Sequence, residues 1–318
     1  MNKKTIITFL LALIAMSACA QSLNKDVERL QYVYALKAVL NDSVWSGFAD
    51  KQYDVPLLYY GDTCCYVVNP TEKFFAMYPS VLVHSGNDIQ IYQTEKVDDK
   101  PFHMHVTFTD DESDIDYRTP IMRCSSLEQT GKSVPDVNSV NEWATMVMHE
   151  YFHGFQFKHD GYLDIYEAIT DALLPDTLTA LAARHDWYGE SITRENDLLL
   201  KAIGTNDIEA SRAYIQSFFK LRNERRERVK KELGIDIAAL EQLYETMEGS
   251  ARYIEYCLYR HFGNFNLSDA KWLYTVGRKY YYATGFNLLR ISDKLEIDYK
   301  YGIFKGVSTV ERNLRNIF

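Results

Sequence analysis

Three residues in one short stretch carry the most specific chemistry in this chain: His149, Glu150 and His153, in Met148-His149-Glu150-Tyr151-Phe152-His153-Gly154. On a helix, positions four apart lie on one face. The two imidazoles are therefore placed to share one metal ion, with the Glu150 carboxylate beside the ion's open position. His-Glu-x-x-His is the spacing of a zinc site in which the glutamate acts as general base for hydrolysis. So short a pattern also arises by chance, and its context decides. Trp143, Ala144, Met146, Val147, Met148, Tyr151, Phe152, Phe155 and Phe157 make the segment from Val140 to Phe157 apolar on nearly every side, as a buried helix is. Two histidines and a glutamate are costly to bury there unless a metal partners them.

A hydrolytic zinc takes three protein ligands and keeps a fourth position for water, so one more side chain is required. Three candidates compete. His159 stands ten residues after His149, the metzincin spacing, but Gln156 occupies the place of that class's chain-reversing glycine, and the only later methionine, Met247, falls in a helical pattern. Glu167, in Tyr166-Glu167-Ala168-Ile169-Thr170-Asp171, resembles the Glu-Ala-Ile-Ser-Asp stretch of thermolysin-like peptidases; it follows His153 by only 14 residues, so a tight turn at Asp160-Gly161 would have to return the chain. Glu248, in Met247-Glu248-Gly249-Ser250-Ala251-Arg252-Tyr253, resembles the Glu-Gly-x-Ala-x-Tyr segment of gluzincins, the HExxH peptidases whose third ligand is a glutamate on a second helix. Gly249 and Ala251 are expected to let that helix approach the metal helix closely. Glu248 is preferred.

A second segment points to the same class. Tyr282-Ala283-Thr284-Gly285-Phe286 resembles the Tyr-x-x-Gly-Phe segment of aminopeptidase-type gluzincins, which implies a Tyr282 hydroxyl facing the scissile carbonyl. Its neighbours Tyr280 and Tyr281 leave a plain aromatic core helix as the competing reading. The Gly-x-Met-Glu-Asn segment with which those aminopeptidases hold a free amino end is missing. The resemblance covers the metal helix, the Glu248 helix and the tyrosine helix, well under half the chain. It implies an exported bacterial zinc metallopeptidase, with zinc held by His149, His153 and Glu248, Glu150 as base, Tyr282 at the oxyanion, and a peptide or protein as substrate. The alternatives are a metzincin-like enzyme using His159, or an exported non-catalytic binding protein on a zincin scaffold.

The elements that must position these residues form an α+β pattern. Residues 23–45 have a helical period through Leu23, Val27, Leu30, Tyr34, Leu36 and Leu40. Short β-like runs follow over 55–60, 64–68, 81–84, 89–92 and 102–108, separated by Gly61-Asp62, Asn69-Pro70 and Gly86-Asn87-Asp88. They predict a small sheet, with His103 and His105 on one face of its last strand. Residues 110–136 are acidic and turn-rich and read as a solvated loop. Everything beyond Ser139 reads as helix: 138–158, 163–174, 192–203, 208–233, 237–262 and 267–295. The basic run Lys220, Arg222, Arg225, Arg226, Arg228, Lys230 and Lys231, interleaved with glutamates, reads as a solvent face laced with i,i+4 ion pairs.

This organisation predicts a signal peptide over 1–20, an α/β subdomain with a small sheet over 21–136 and a helical zincin-like region over 137–318. Lys3 and Lys4, the apolar run Ile6–Met16 and Ala18-Cys19-Ala20 have the form of an export signal. Met16-Ser17-Ala18-Cys19 also resembles a lipoprotein box that would place a lipid anchor on Cys19; Met16 stands where leucine is usual, which favours the free secreted form. No later segment reads as a transmembrane helix. The formal net charge of -9 argues against nucleic acid or anionic membrane as a partner. Of Cys64, Cys65, Cys124 and Cys257, a bridge from Cys124 to one of the adjacent pair and buried free thiols are both open readings.

Overall fold

The computed structural model describes residues 25–86, 89–98, 100–108, 119–263, 279–300, 302–306 and 308–317. The segment 1–20 expected to be a signal peptide, the lipidation reading of Cys19, the acidic cluster from Asp110 to Asp116 and the first part of the helix expected over 267–295 lie outside the described residues. The architecture is α+β: a six-stranded mixed sheet in the N-terminal part and helices in the C-terminal region. Two compact units divide the chain. The first takes Met1–Asn41 and Asp54–Tyr151, the second Asp42–Tyr53 and Phe152–Phe318. The cut lies within one continuous helix, Val140–Phe157.

In the first unit, helix α1 (25–43) precedes strands β1 (Leu57–Tyr60), β2 (Cys65–Val68), β3 (Ser80–Gly86), β4 (Ile89–Thr94), β5 (Met104–Thr107) and β6 (Ile121–Ser125). Short helices α2 (Glu72–Met77) and α3 (Leu127–Ser133) flank them. The sheet order is β3-β4-β2-β1-β6-β5, with β1 and β6 parallel and every other pair antiparallel. β1, β2 and β6 are buried at every position. Both faces of these central strands are covered, so they read as apolar runs rather than alternations. On one face, the Tyr59 hydroxyl donates to Asp26 of α1 at 2.7 Å and the Trp143 ring meets Tyr59 edge-on. On the other, Leu58, Tyr60, Cys65 and Val67 close on Phe74 of α2.

One expectation for this unit is corrected, and one open reading is decided. Residues 110–136 are not all loop, since β6 and α3 lie within them. Arg123 disguises the strand by breaking its apolar run, yet it is buried with partners: one guanidinium nitrogen donates to the Tyr60 hydroxyl at 2.9 Å and Nε to Thr107 Oγ1 at 2.9 Å. The four described cysteines, Cys64, Cys65, Cys124 and Cys257, are free thiols. β1 lies between β2 and β6, which separates Cys65 from Cys124 by two strand spacings, about 9.6 Å, beyond the reach of a disulfide. Their registers against Tyr60 and Tyr59 also turn them to opposite faces.

Helix α4 (Val140–Phe157) opens on a capping box: the Ser139 hydroxyl accepts from the Glu142 amide at 3.2 Å and the Glu142 carboxylate accepts from the Ser139 amide at 2.9 Å. The second unit then holds α5 (Tyr162–Ala172), α6 (Thr177–Arg184), α7 (Asp186–Gly204), α8 (Ile208–Leu233), α9 (Ala238–Phe262), α10 (Tyr280–Lys294) and α11 (Val310–Arg315). Leu178, Leu181, Tyr188, Val229, Leu240 and Tyr280 form part of its core. No helix among the described residues is long and apolar enough to cross a membrane.

The basic run of α8 is not a solvent face. Its buried positions are Ser211, Ile215, Phe218, Phe219, Arg222, Arg225 and Val229, so two arginines occupy the core stripe. Arg222 binds Glu245 of α9 through two nitrogens at 2.6 and 2.8 Å, and also reaches Glu195 of α7 at 3.2 Å and Glu311 of α11 at 2.8 Å. Arg225 pairs with Glu195 at 2.6 Å and Glu241 at 2.9 Å, while Arg226 pairs with Glu241 and Glu311, both at 2.7 Å. Four helices are thus held in register by a buried ionic network. The i,i+4 pattern survives on the outer face, where Arg228 meets Glu232 at 2.8 Å.

Candidate metal centre

The site starts from α4, whose apolar residues Trp143, Val147, Met148, Tyr151, Phe152 and Phe155 are all buried. Helical spacing leaves His149 and His153 one turn apart on the remaining polar stripe, and both are nine-tenths buried. Glu248 of α9 is equally buried, and its Oε2 lies 3.3 Å from His153 Nε2. His149, His153 and Glu248 each offer one ligand atom, and these atoms lie within 4.8 Å of one another. Tetrahedral zinc ligands at bond lengths of about 2.0–2.2 Å stand roughly 3.4 Å apart. The donor set, two imidazoles and a carboxylate, and its spacing therefore fit a zinc ion after a small closure.

Two further connections hold the ligand helices. Gln156, fully buried on α4, accepts from His153 Nδ1 at 2.9 Å through its carbonyl oxygen, while its amide nitrogen donates to the Met247 carbonyl and the Ser250 hydroxyl of α9, each at 2.9 Å. On the far side, α9 meets α10 backbone to backbone. A Cβ at Gly249 would lie 2.5 Å from the Gly285 carbonyl carbon, and one at Gly285 would lie 2.0 Å from the Glu245 carbonyl oxygen. This revises the expected use of Gly249. Its lack of a side chain admits the tyrosine helix, not the metal helix, and the glycines of the two resemblance segments are each other's neighbours.

Glu150 follows His149 on α4 and is half-buried; among the described residues no side chain pairs with its carboxylate. His159 is not part of the metal group. Its Nδ1 donates to the Phe155 carbonyl at 2.9 Å, and its ring stacks on Tyr53 at 4.4 Å within an aromatic cluster that includes Phe304. Glu167 lies on α5, half-buried and likewise outside the group. His103 is buried against Tyr60 at 3.7 Å, with Nε2 3.0 Å from Asp98.

Tyr282 is half-buried on α10, stacked on Tyr281 at 5.4 Å, with the Lys279 ammonium 5.2 Å from its ring centre. Other tyrosines feel the ligand carboxylate directly. Burial first, and then the Glu248 charge, push the Tyr281 phenol up to about 12. The same two causes raise Tyr162, whose buried hydroxyl has no hydrogen-bond partner among the described residues. The sequence carries no signal for Tyr162 beyond its place directly after the Asp160-Gly161 turn, where Gly161 takes the left-handed conformation at φ 73°. Tyr281 was visible only as one of three consecutive tyrosines. Comparison of the chain with known protein families, curated proteins and solved structures gives no match.

Proposed function

We propose that this protein is a zinc-dependent metallopeptidase, with His149, His153 and Glu248 as ligands and Glu150 as general base. The observation that carries the reading is the convergence of these three buried donors on one point, with a carboxylate at the position after His149 that no side chain among the described residues pairs. A zinc ion bound there supplies a Lewis acid that brings the pKa of water toward neutrality and polarises a carbonyl.

The chain's own residues do the rest. Glu150 takes the proton of the attacking water and returns it to the departing amine, so the peptide C–N bond breaks as the new C–O bond forms and no net proton is consumed. A tyrosine hydroxyl of α10, Tyr282 by its resemblance segment, donates to the carbonyl oxygen as negative charge develops there. The burial of His149, His153 and Glu248 limits bulk water around the donors and strengthens these interactions. Support for zinc rather than calcium or magnesium lies in the two imidazoles, which those oxygen-seeking ions avoid.

The test is cleavage of casein by purified protein carrying one zinc per chain. Chelation abolishes it and added zinc restores it. Glu150→Gln abolishes turnover with zinc still bound. Full activity in Glu150→Gln would remove the assignment of the base, and a purified protein without stoichiometric zinc affinity would remove the enzyme reading.

A further inference from the structure

We propose that Gln156 is the positioning residue of this metal centre: it fixes the His153 imidazole with its proton on Nδ1 and ties it to the helix that carries Glu248. The inference rests on the metal reading above and adds to it the device that sets the ligand geometry.

The argument is one of donors and acceptors. The Gln156 amide nitrogen has two N–H donors, and both find partners on α9: the Met247 carbonyl and the Ser250 oxygen, each at 2.9 Å. The Ser250 hydroxyl has already given its proton to the Thr246 carbonyl at 2.6 Å, so toward Gln156 it can only accept. Turning the amide over would set its oxygen against two acceptors inside a fully buried site, losing both bonds. The amide orientation is therefore determined by α9. Its oxygen, which can only accept, then faces His153 Nδ1 at 2.9 Å, and the imidazole proton must sit on Nδ1.

This leaves the His153 Nε2 lone pair pointing at the Glu248 carboxylate, 3.3 Å away. Two electron-rich atoms held at that distance in a buried site repel each other unless a proton or a metal ion lies between them. The lock on one side of the ring thus prepares the other side for a metal. Carboxylates and backbone carbonyls commonly hold ligand histidines this way. Here a neutral side-chain amide does so, and its second end grips the segment Met247–Ser250 that brackets Glu248. One residue fixes the orientation of the second ligand and the distance to the third.

The experiment is zinc affinity by competition with a chromogenic chelator, on the full chain and on Gln156→Met, which keeps the shape and removes the hydrogen bonds. Affinity should fall about 10- to 100-fold. The 15N shifts of His153 in the zinc-loaded wild-type protein test the same claim without a variant: Nδ1 should be the protonated nitrogen and Nε2 the coordinating one. Wild-type affinity in Gln156→Met, or coordination through Nδ1, would overturn this inference alone. A wild-type chain that binds no zinc would overturn the metal reading and this inference with it.

Discussion

Gly285→Ala should destabilise the protein, although alanine is the better helix former. An alanine Cβ at this position of α10 would lie 2.0 Å from the Glu245 carbonyl oxygen and 2.7 Å from its carbon. Both are backbone atoms of α9, so no rotamer change relieves the clash. Ordinary contact begins near 3.4 Å, which requires the helices to part by about 1.4 Å at this point. Overpacking of that kind costs typically 1–3 kcal/mol, set against a gain of about 1 kcal/mol in helix propensity. The expected net loss is therefore up to about 2 kcal/mol, read as a lower urea midpoint at unchanged m-value. Because Glu248 sits one residue before Gly249 at the same crossing, zinc affinity should fall as well. Gly189→Ala supplies the control: Gly189 lies in α7 with nothing within 4 Å of a built Cβ, and its replacement should stabilise by up to about 1 kcal/mol. A Gly285→Ala protein as stable as the Gly189→Ala control would refute the backbone contact and the placement of Glu248 that depends on it.

Other consequences follow from the same geometry. Arg222→Met should cost about 3–5 kcal/mol in denaturant unfolding, because it leaves Glu195, Glu245 and Glu311 buried without their shared cation; a loss below 1 kcal/mol would contradict the network. Burial alone would raise the Glu311 carboxyl, but Arg222 and Arg226 overcome it and hold the group at about 2 against an ordinary 4.5. A folded-state pKa below the unfolded one contributes stability above pH 4.5 that is lost as pH falls toward 2, so urea midpoints measured from pH 5 to 2 should decline across that window. Midpoints that stay level over it would count against the pairing. Tyr162→Phe should leave the metal-free protein as stable or up to about 1 kcal/mol more stable, because the hydroxyl is buried without a partner; a clear loss in chemical denaturation would show that it is hydrogen-bonded.

What was legible in the sequence was whatever local spacing dictates. The pair His149/His153 follows from helical periodicity once an apolar helix is read over 138–158, and Glu248 from the resemblance of its segment to Glu-Gly-x-Ala-x-Tyr. The six-stranded α+β architecture was foreseen except for β6, where Arg123 masked a strand that only its partners Tyr60 and Thr107 make tenable. The remaining discrepancies share one cause, that a side chain's role depended on a distant element. Arg222 and Arg225 read as surface charges because Glu195, Glu241, Glu245 and Glu311 come from three other helices. Gly249 was matched to the wrong neighbour because nothing local reveals that Gly285 faces it. Gln156 counted only as an obstacle to the metzincin reading, since its partners lie 91 and 94 residues away.

The central claim is tested most directly by an anomalous difference map from zinc-soaked crystals. The account predicts one peak per chain, bonded to His149, His153 and Glu248. A peak coordinated instead by His159 or Glu167, or no peak between the two histidines, would contradict it.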